Sequence, residues 1–325
     1  MSKTKSVKAT DGSTIEYIED VIGEGGMKTV YFTTDKSNVV AFYKEKQDYT
    51  ARERLENIIE KYNPTKDTGF GNYWNNLYCW PTKIIDGDRL GIVVPTYPKH
   101  FFFTAGPMKG KEKEGKWFAS AKLRKLLDPS EKGTWLDYFK ICILISRAVR
   151  RMHTSGLAHS DLSYKNVLID PKGGHAAIID IDGLVVPNKF PPDVLGTPDF
   201  IAPEVYKTIQ LDFKDKNRKL PSRVTDLHAL AVLIYMYLLY RHPLRGGKVH
   251  DLDPQKDEQL SMGEKALFVE HPSDRSNLPK EKHPSYMPWA DVHKIPYNIC
   301  GPYLKTLFNT AFINGLHNPA RRPTA

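Results

Sequence analysis

The sequence predicts an α+β protein with two lobes: a small antiparallel β lobe that carries one helix, then a larger, mainly helical lobe. Two changes along the chain predict this division. Short β-branched and aromatic runs fill the first part of the chain, whereas longer segments with helical periodicity follow Pro98. We therefore expect the β lobe over residues 1–96 and the helical lobe over residues 97–325.

Strands of the small lobe are expected where β-branched and aromatic residues cluster between turn residues. The expected strands cover residues 13–21, 29–33, 39–43, 78–85 and 90–95. Among them, apolar residues from Leu55 to Tyr62 recur at helical spacing, which predicts one helix over residues 49–61. The same periodicity predicts long helices over residues 135–153 and 224–240 in the larger lobe.

The composition is that of an ordinary globular protein, with 40% apolar and 26% charged residues among 325. The longest apolar run, residues 227–240, is broken by His228 and is shorter than the roughly 20 residues that a membrane span needs. The three cysteines are far apart and in no metal-ligand spacing, so we expect reduced thiols in a cytoplasmic protein with no membrane attachment. The net charge of +9 is spread along the chain, which argues against nucleic acid as a partner.

The segment G-E-G-G-M-K-T-V-Y, residues 23–31, is a glycine-rich turn between two predicted strands. Glycines at such a turn let backbone N–H groups approach phosphate oxygens, which favours a nucleotide-binding loop. The residues expected to form it are Gly23, Gly25, Gly26 and Val30. Lys28 stands where G-x-G-x-x-G-x-V has its third glycine, so it could add a phosphate contact or crowd the nucleotide. A flexible hairpin turn is the alternative interpretation.

A strand-borne lysine is expected downstream, and Lys44 follows the β-rich run V-V-A-F-Y. Its amine would meet the phosphates of the nucleotide and be held by a carboxylate from the helix, for which Glu53 and Glu56 are candidates. Lys46 has the same strand parity as Lys44. A surface lysine on an edge strand is the alternative interpretation.

The segment H-S-D-L-S-Y-K-N, residues 159–166, carries the strongest chemical signal. Phosphoryl transfer needs a carboxylate that orients the attacking hydroxyl and accepts its proton, and Asp161 is the candidate catalytic residue. Asn166 completes the pattern H-x-D-L-x-x-x-N and is expected to bind Mg²⁺. A short hairpin then leads to I-I-D-I-D-G, residues 178–183, where Asp180 is the expected metal ligand and Asp182 is the alternative or a second ligand.

These motifs resemble those of the protein kinase superfamily. Downstream, G-T-P-D-F-I-A-P-E, residues 196–204, resembles the P+1 loop and A-P-E motif of that family, and residues 225–230 resemble the start of its buried central helix. The resemblance implies a bilobal protein-kinase-like fold, ATP and Mg²⁺ as cofactors, and transfer of the γ-phosphate to hydroxyls of a protein substrate. It also implies an ion pair between Glu204 and Arg322, and bracing of the catalytic loop by Asp226.

Substrate hydroxyl type follows from family association only, which favours Ser and Thr. Ser163 stands where such kinases usually carry a lysine that contacts the γ-phosphate, and Lys165 is the candidate that could reach the same region. More narrowly, G-x-G-G, Trp80-Pro81 and D-I-D in place of D-F-G resemble bacterial kinases associated with tellurium-resistance operons and kinases fused to helix-hairpin-helix domains.

Two other function classes remain open from the sequence. A small-molecule kinase of the aminoglycoside or choline type shares H-x-D and the asparagine, but typically lacks the A-P-E platform. A pseudokinase, which binds nucleotide as a scaffold, would account for Lys28 and for the ambiguous strand lysine. The platform favours a protein kinase.

Regulation is expected to differ from that of kinases with H-R-D, whose arginine clamps a phosphorylated loop residue. Ser160 offers no charge at that position, and Thr197, the one Ser, Thr or Tyr from residue 181 to 200, is expected to bond to Asp161. Three prolines, Pro187, Pro191 and Pro192, should stiffen the loop. We therefore expect control by a regulatory partner or by a C-terminal region. Residues 318–325 resemble the start of a final helix, and we expect the rest of that helix to be missing from this chain.

Overall fold

A computed structural model describes residues 3–186, 190, 196–212, 214–279 and 295–325. A curled antiparallel sheet with one packed helix precedes a larger helical region, which confirms the predicted α+β, bilobal fold. The three prolines of the expected stiff loop lie outside the described residues.

Six strands form the sheet in the order β1-β2-β3-β4-β6-β5, and all of the pairings are antiparallel. Their bounds are β1 (Thr4–Lys8), β2 (Thr14–Glu24), β3 (Lys28–Thr33), β4 (Asn38–Tyr43), β5 (Lys83–Asp86) and β6 (Leu90–Pro95). The sequence patterns missed β1, a polar edge strand. The prediction for residues 78–85 was too long, because Pro81 has no N–H for a sheet and Tyr78 instead forms a bridge with Ile178 of the large lobe.

The predicted helix of the small lobe is α1 (Tyr49–Glu56), which continues as a π turn over Asn57–Lys61. Asp48 caps its start by accepting hydrogen bonds from the N–H groups of Thr50 and Ala51. Its apolar face packs on the sheet, where Leu55 and Ile59 join a buried cluster with Ala41 and Tyr43 of β4. The helix therefore covers the end of β4 that approaches the candidate site.

The large lobe is built around two long helices that match their predicted bounds to within one residue at each end. In the described part of the chain, α1 is followed by α2 (Gly71–Asn75), which precedes the large lobe, and then by α3 (Lys116–Ala119), α4 (Ala121–Arg124), α5 (Trp135–Thr154), α6 (Pro203–Tyr206), α7 (Arg223–Leu239), α8 (Pro254–Met262) and α9 (Gly301–Asn309). Capping boxes at Thr134 and Ser222 fix where α5 and α7 begin. Most of α7 is buried, so it forms the centre of the lobe.

A two-stranded hairpin, β7 (Val167–Asp170) and β8 (His175–Ile178), separates the two predicted catalytic segments. Val167 pairs with Ile178 across it, so the residues that flank the hairpin return to the same place. Residues 158–166 and 179–185 therefore run side by side, joined by a bridge between Ala158 and Val185.

The expected helix start near the C-terminus is a single 3₁₀ turn, Pro319–Arg321. All three cysteines are buried free thiols, and burial raises the pKa of Cys79 to about 12. Among the residues that the structure describes, we find no helix with the length and apolar character needed to cross a membrane.

Candidate active site

The carboxylate of Asp161 is held on both oxygens. Its Oδ1 accepts hydrogen bonds from the N–H and hydroxyl of Thr197, at 2.6 and 2.8 Å. The amide Nδ2 of Asn166 donates to its Oδ2 at 3.0 Å and to its main-chain oxygen at 2.9 Å. Asp161, Asn166 and Thr197 thus form one group, which connects the catalytic loop to the expected substrate platform.

The backbone of this loop is braced from α7 by Asp226, whose side chain is buried. Its two oxygens accept hydrogen bonds from the N–H groups of His159 at 2.7 Å and Ser160 at 3.2 Å. Ser160 has a φ of +66°, which is a strained conformation for a residue with a side chain. The contacts with Asp226 stabilise that strained turn and so fix where Asp161 emerges.

The predicted ion pair of the large lobe is present. Both terminal nitrogens of Arg322 bond to the two carboxylate oxygens of Glu204 at 2.7 Å, a bidentate geometry. The Arg322 side chain is 1% exposed and that of Glu204 is 23% exposed. The pair therefore anchors the end of the platform segment to the C-terminal part of the chain.

Two aspartates converge on one ammonium group. Lys28 Nζ lies 2.7 and 2.8 Å from the two carboxylate oxygens of Asp182, and 3.0 Å from Oδ1 of Asp180. Asp182 is almost fully buried, whereas the Asp180 side chain is 52% exposed and its backbone is left-handed, with a φ of +59°. Burial alone would lower the pKa of Lys28, but the charges of Asp182 and Asp180 outweigh it and raise that pKa.

The residue opposite Lys28 completes this cluster. Tyr43 on β4 is its cross-strand partner, and the Tyr43 hydroxyl also donates a hydrogen bond to Asp182. Burial, and next to it the charge of Asp182, raise the pKa of Tyr43, so its hydroxyl remains a proton donor at neutral pH. Burial would raise the pKa of Asp182, but Lys28 reverses that effect and lowers it.

Lys44, the expected phosphate-binding lysine, lies elsewhere. Its Nζ pairs with Glu24 at 2.8 Å on the exposed side of the glycine-rich turn, not with Glu53 or Glu56 of α1. Glu56 instead pairs with Arg52, and the buried residues of α1 are Ala51, Arg54 and Leu55. Adjacent strand residues point to opposite faces, so the inward position of Tyr43 places Lys44 outward.

A cavity of about 290 Å³ lies between the glycine-rich turn and the catalytic loop. Its lining comprises Gly25, Gly26, Met27, Lys28, Val30, Tyr43, His159, Ser160, Asp161, Asp180, Asp182 and Gly183. Gly23 lies outside this lining, and a Cβ added to it would contact Val30 at 3.7 Å. Lys28, for which the sequence left open a phosphate contact or crowding of the nucleotide, shares the face of β3 with Val30.

The donors around this cavity suit a hard cation. Asp180 and Asp182 line the cavity and offer carboxylate oxygens. Asn166 is not part of the lining, and its amide nitrogen donates to Asp161. Oxygen ligands of this kind are those that Mg²⁺ prefers. The ammonium of Lys28 between the two aspartates marks the position as one that holds positive charge, so the residues present fit the expected ion. The described residues contain no group of three or more His, Cys, Asp or Glu in metal-binding geometry.

Comparison with known proteins agrees with this arrangement. The chain is 30% identical over 138 residues to a protein of Acanthamoeba polyphaga mimivirus named as a serine/threonine-protein kinase, covering 39% of this chain and 46% of that protein. It is 28% identical over 154 residues to the serine/threonine-protein kinase PknD of Chlamydia felis, covering 41% and 15%. It is also 27% identical over 208 residues to the serine/threonine-protein kinase WNK of Caenorhabditis elegans, covering 62% and 10%.

The chain thus spans less than half the length of these curated relatives. The family described as protein kinase domain matches residues 98–291, which is more than half of the chain and includes the catalytic loop, the acidic segment and the A-P-E motif. This chain belongs to the protein kinase domain family.

Proposed function

We propose that this protein transfers the γ-phosphate of ATP to hydroxyl groups of other proteins, with Ser and Thr as the expected acceptors. The observation that carries the proposal is the position of Asp161, which lines the cavity and also bonds to Thr197 in the platform segment. A carboxylate at that junction can orient an incoming hydroxyl and accept its proton. Because Thr197 and Asn166 hold the carboxylate, little reorganisation is needed when the hydroxyl arrives.

Lys28 is the residue that we propose to bind the phosphates of the nucleotide, in place of Lys44. It combines a cavity-lining position with two carboxylates that keep its ammonium in place. An ammonium in a partly buried cavity stabilises phosphate charge more strongly than one in water does. The backbone of Gly25 and Gly26 lines the same cavity and leaves room for phosphate oxygens, and Gly23 and Val30 would support this turn from β2 and β3.

Asp180, Asp182 and Asn166 are the residues that would hold Mg²⁺, which when bound supplies positive charge to the phosphate oxygens. In this structure the carboxylates of Asp180 and Asp182 contact the ammonium of Lys28, so bound Mg²⁺ would compete with that ammonium for them. Lys165 remains a candidate for contact with the transferred phosphate, because it is an exposed residue of the catalytic loop, one position before Asn166. Ser163 is fully buried and bonds to the Thr197 hydroxyl at 3.2 Å, so it supports the platform instead.

A second function is favoured by the same Lys28 contacts. If the ammonium stays on Asp180 and Asp182, the chain binds nucleotide without Mg²⁺ and acts as a pseudokinase scaffold. A small-molecule kinase is disfavoured, because the described segment from residue 196 to 204 is tied to Asp161 at one end and to Arg322 at the other. Such a fixed platform suits an extended peptide. We expect the protein to act in the cytoplasm, where free thiols such as Cys79 persist.

Incubation with labelled ATP and Mg²⁺, with and without a general protein substrate, tests the proposal, and mass spectrometry locates any phosphate. We expect phosphoserine or phosphothreonine with the wild-type protein and far less of either with Asp161→Asn. Nucleotide binding without transfer would support the scaffold, and transfer only to aminoglycoside or choline substrates would overturn the proposed protein substrate.

A further inference from the structure

Asp199 lies two residues after Thr197, in the 3₁₀ turn Pro198–Phe200 of the platform. Its Oδ1 accepts hydrogen bonds from Nε and Nη2 of Arg245, at 3.0 and 2.5 Å. Its main-chain oxygen accepts a hydrogen bond from Nε2 of His242 at 2.8 Å. This platform residue is therefore held at both its side chain and its backbone by the segment that follows α7.

Arg245 binds a second carboxylate at the same time. Its Nη1 and Nη2 donate to the two oxygens of Glu258 on α8, at 2.6 and 2.5 Å. The Arg245 side chain is 21% exposed, and those of Asp199 and Glu258 are 30% and 33% exposed. A guanidinium can span two carboxylates because its donors form a fixed planar fork. We call Arg245, Asp199 and Glu258 the Arg245 bridge.

His242 adds a neutral support to this bridge. Its Nδ1 accepts a hydrogen bond from the N–H of Leu244 at 3.1 Å, so the proton of the neutral ring is on Nε2, which donates to Asp199. Burial lowers the pKa of His242 to about 4, so the ring stays in this form at neutral pH. The short turn from His242 to Arg245 thus fixes the direction in which the guanidinium points.

The other side of Asp199 faces the catalytic loop. The Tyr164 hydroxyl lies 3.5 Å from Asp199 Oδ2, and its ring packs edge-on against Phe200 with 5.0 Å between ring centroids. Tyr164 is two residues before Asn166, and Asp199 is two residues after Thr197. Asn166 and Thr197, which both bond to the Asp161 carboxylate, therefore lie within two residues of the contact between Tyr164 and Asp199.

We propose that Arg245 is a positioning residue for the protein substrate, and that the Arg245 bridge holds the platform in its peptide-binding conformation by anchoring it to α8. Without the guanidinium, two carboxylates face each other, and their repulsion displaces the turn at Asp199. The guanidinium of Arg245 supplies the platform with positive charge from within the chain, and this contact forms without phosphorylation. This inference rests on the proposed function.

The test compares Arg245→Met with wild type in peptide phosphorylation, nucleotide binding and hydrogen exchange of residues 196–203. We expect kcat/KM for a peptide substrate to fall by about 10- to 100-fold through a higher KM, because a small displacement of a positioned substrate is costly. Nucleotide affinity should be unchanged, since the bridge does not line the nucleotide cavity. Hydrogen exchange at residues 196–203 should become faster.

Two further variants separate the bridge from a general loss of structure. Arg245→Met combined with Glu258→Gln removes the repulsion and should restore part of the peptide KM, whereas a merely misfolded variant would not be rescued. Lys248→Met is the matched control, because Lys248 lies on the same segment and its ammonium makes an exposed contact of 3.9 Å with Asp274. It should match wild type in all three measurements.

Unchanged peptide KM and unchanged exchange in Arg245→Met, with intact nucleotide binding, would overturn the proposal. If wild type itself transfers no phosphate, the proposed function fails, but hydrogen exchange still decides whether the bridge orders residues 196–203. The two failures are therefore distinguishable.

Discussion

Lys28 and Tyr43 lie directly opposite each other on β3 and β4, and both side chains donate hydrogen bonds to the carboxylate of Asp182. Cross-strand neighbours on one face have Cβ atoms about 5 Å apart, so either strand can deliver a side chain to the same point. In this protein β3 supplies the ammonium and β4 supplies a hydroxyl. The outward neighbour, Lys44, is left to an exposed pair with Glu24.

This relationship predicts that the lysine can be moved from one strand to the other. Lys28→Gly should lose most phosphate transfer, and adding Tyr43→Lys should raise the rate at least about tenfold above that of Lys28→Gly, because the new ammonium enters the same cavity. Steady-state transfer to a protein substrate measures both variants. Equal rates for Lys28→Gly and the double variant would mean that β4 cannot deliver a lysine to the phosphates.

Substitutions of Asp161 and Asp180 should affect different steps of the reaction. Asp161→Asn should retain ATP binding and lose about 10²- to 10⁴-fold in transfer, because it removes the carboxylate that accepts the hydroxyl proton. Asp180→Asn should weaken binding of the Mg²⁺ nucleotide as well. Calorimetric titration with ATP, with and without Mg²⁺, measures the difference.

A nearly silent Asp180→Asn beside an inactive Asp182→Asn would assign the metal to Asp182 and contradict the expected alignment. Asp182→Asn should also lower thermal stability, because the poorly exposed ammonium of Lys28 loses its main partner. Asp180 is half-exposed, so its variant should fold as wild type does.

The pair of Glu204 and Arg322 predicts a large stability effect. Removing one partner of a buried ion pair costs about 3–5 kcal/mol, because the other charge is stranded. Glu204→Ala should cost toward the lower end of that range, since Glu204 itself is 23% exposed. Thermal unfolding measures the change, with Glu56→Ala as control, because the Arg52–Glu56 pair is exposed. A melting temperature for Glu204→Ala equal to that of the control would contradict a structural role for the pair.

Two buried histidines predict that stability falls in mild acid. Burial lowers the pKa of His242 to about 4 and lowers that of His228 well below its usual range. A histidine of the unfolded chain has a pKa of about 6.5. As the pH falls, the unfolded chain therefore binds protons before the folded protein does. The contribution of the two histidines to the free energy of unfolding is fully present above about pH 6.5. It falls toward pH 4, by up to about 1.4 kcal/mol per pH unit for each histidine.

His228→Leu should flatten this pH dependence, because both ring nitrogens of His228 lack a hydrogen-bond partner among the described residues and no bond is lost. The exposed His175 provides the control, as His175→Leu should leave the slope unchanged. Denaturant unfolding between pH 5 and pH 7.5 measures it. A slope in His228→Leu as steep as in wild type would show that other groups cause the acid sensitivity.

The sequence predicted the parts of the fold and site that depend on local pattern. The spacing from Asp161 to Asn166 is a loop motif, and the apolar periodicity of α7 identifies a buried helix, so neither needs knowledge of the rest of the chain. Lys44 was a different case, because its role depends on which face of β4 points inward. Tyr43 and Lys44 alternate, and the run V-V-A-F-Y is apolar on both faces, so the run does not reveal the inward face.

For helix α1, too, the sequence pattern does not reveal which face points inward. The sequence makes Glu53 and Glu56 candidates to hold the strand lysine, yet the buried face of α1 carries Ala51, Arg54 and Leu55. The Arg245 bridge could not be predicted either, since its three members are 46 and 13 positions apart and no pattern joins them. Such contacts follow from tertiary packing.

Parallel assay of Lys28→Met and Lys44→Met tests the central claim most directly. Both variants remove one ammonium from the small lobe, and transfer of labelled phosphate from ATP to a protein substrate is measured for each beside wild type. We predict that Lys28→Met loses about 100-fold or more in kcat/KM, whereas Lys44→Met stays within about twofold of wild type, because only Lys28 lines the cavity. Loss of transfer in Lys44→Met with full activity in Lys28→Met would contradict the account.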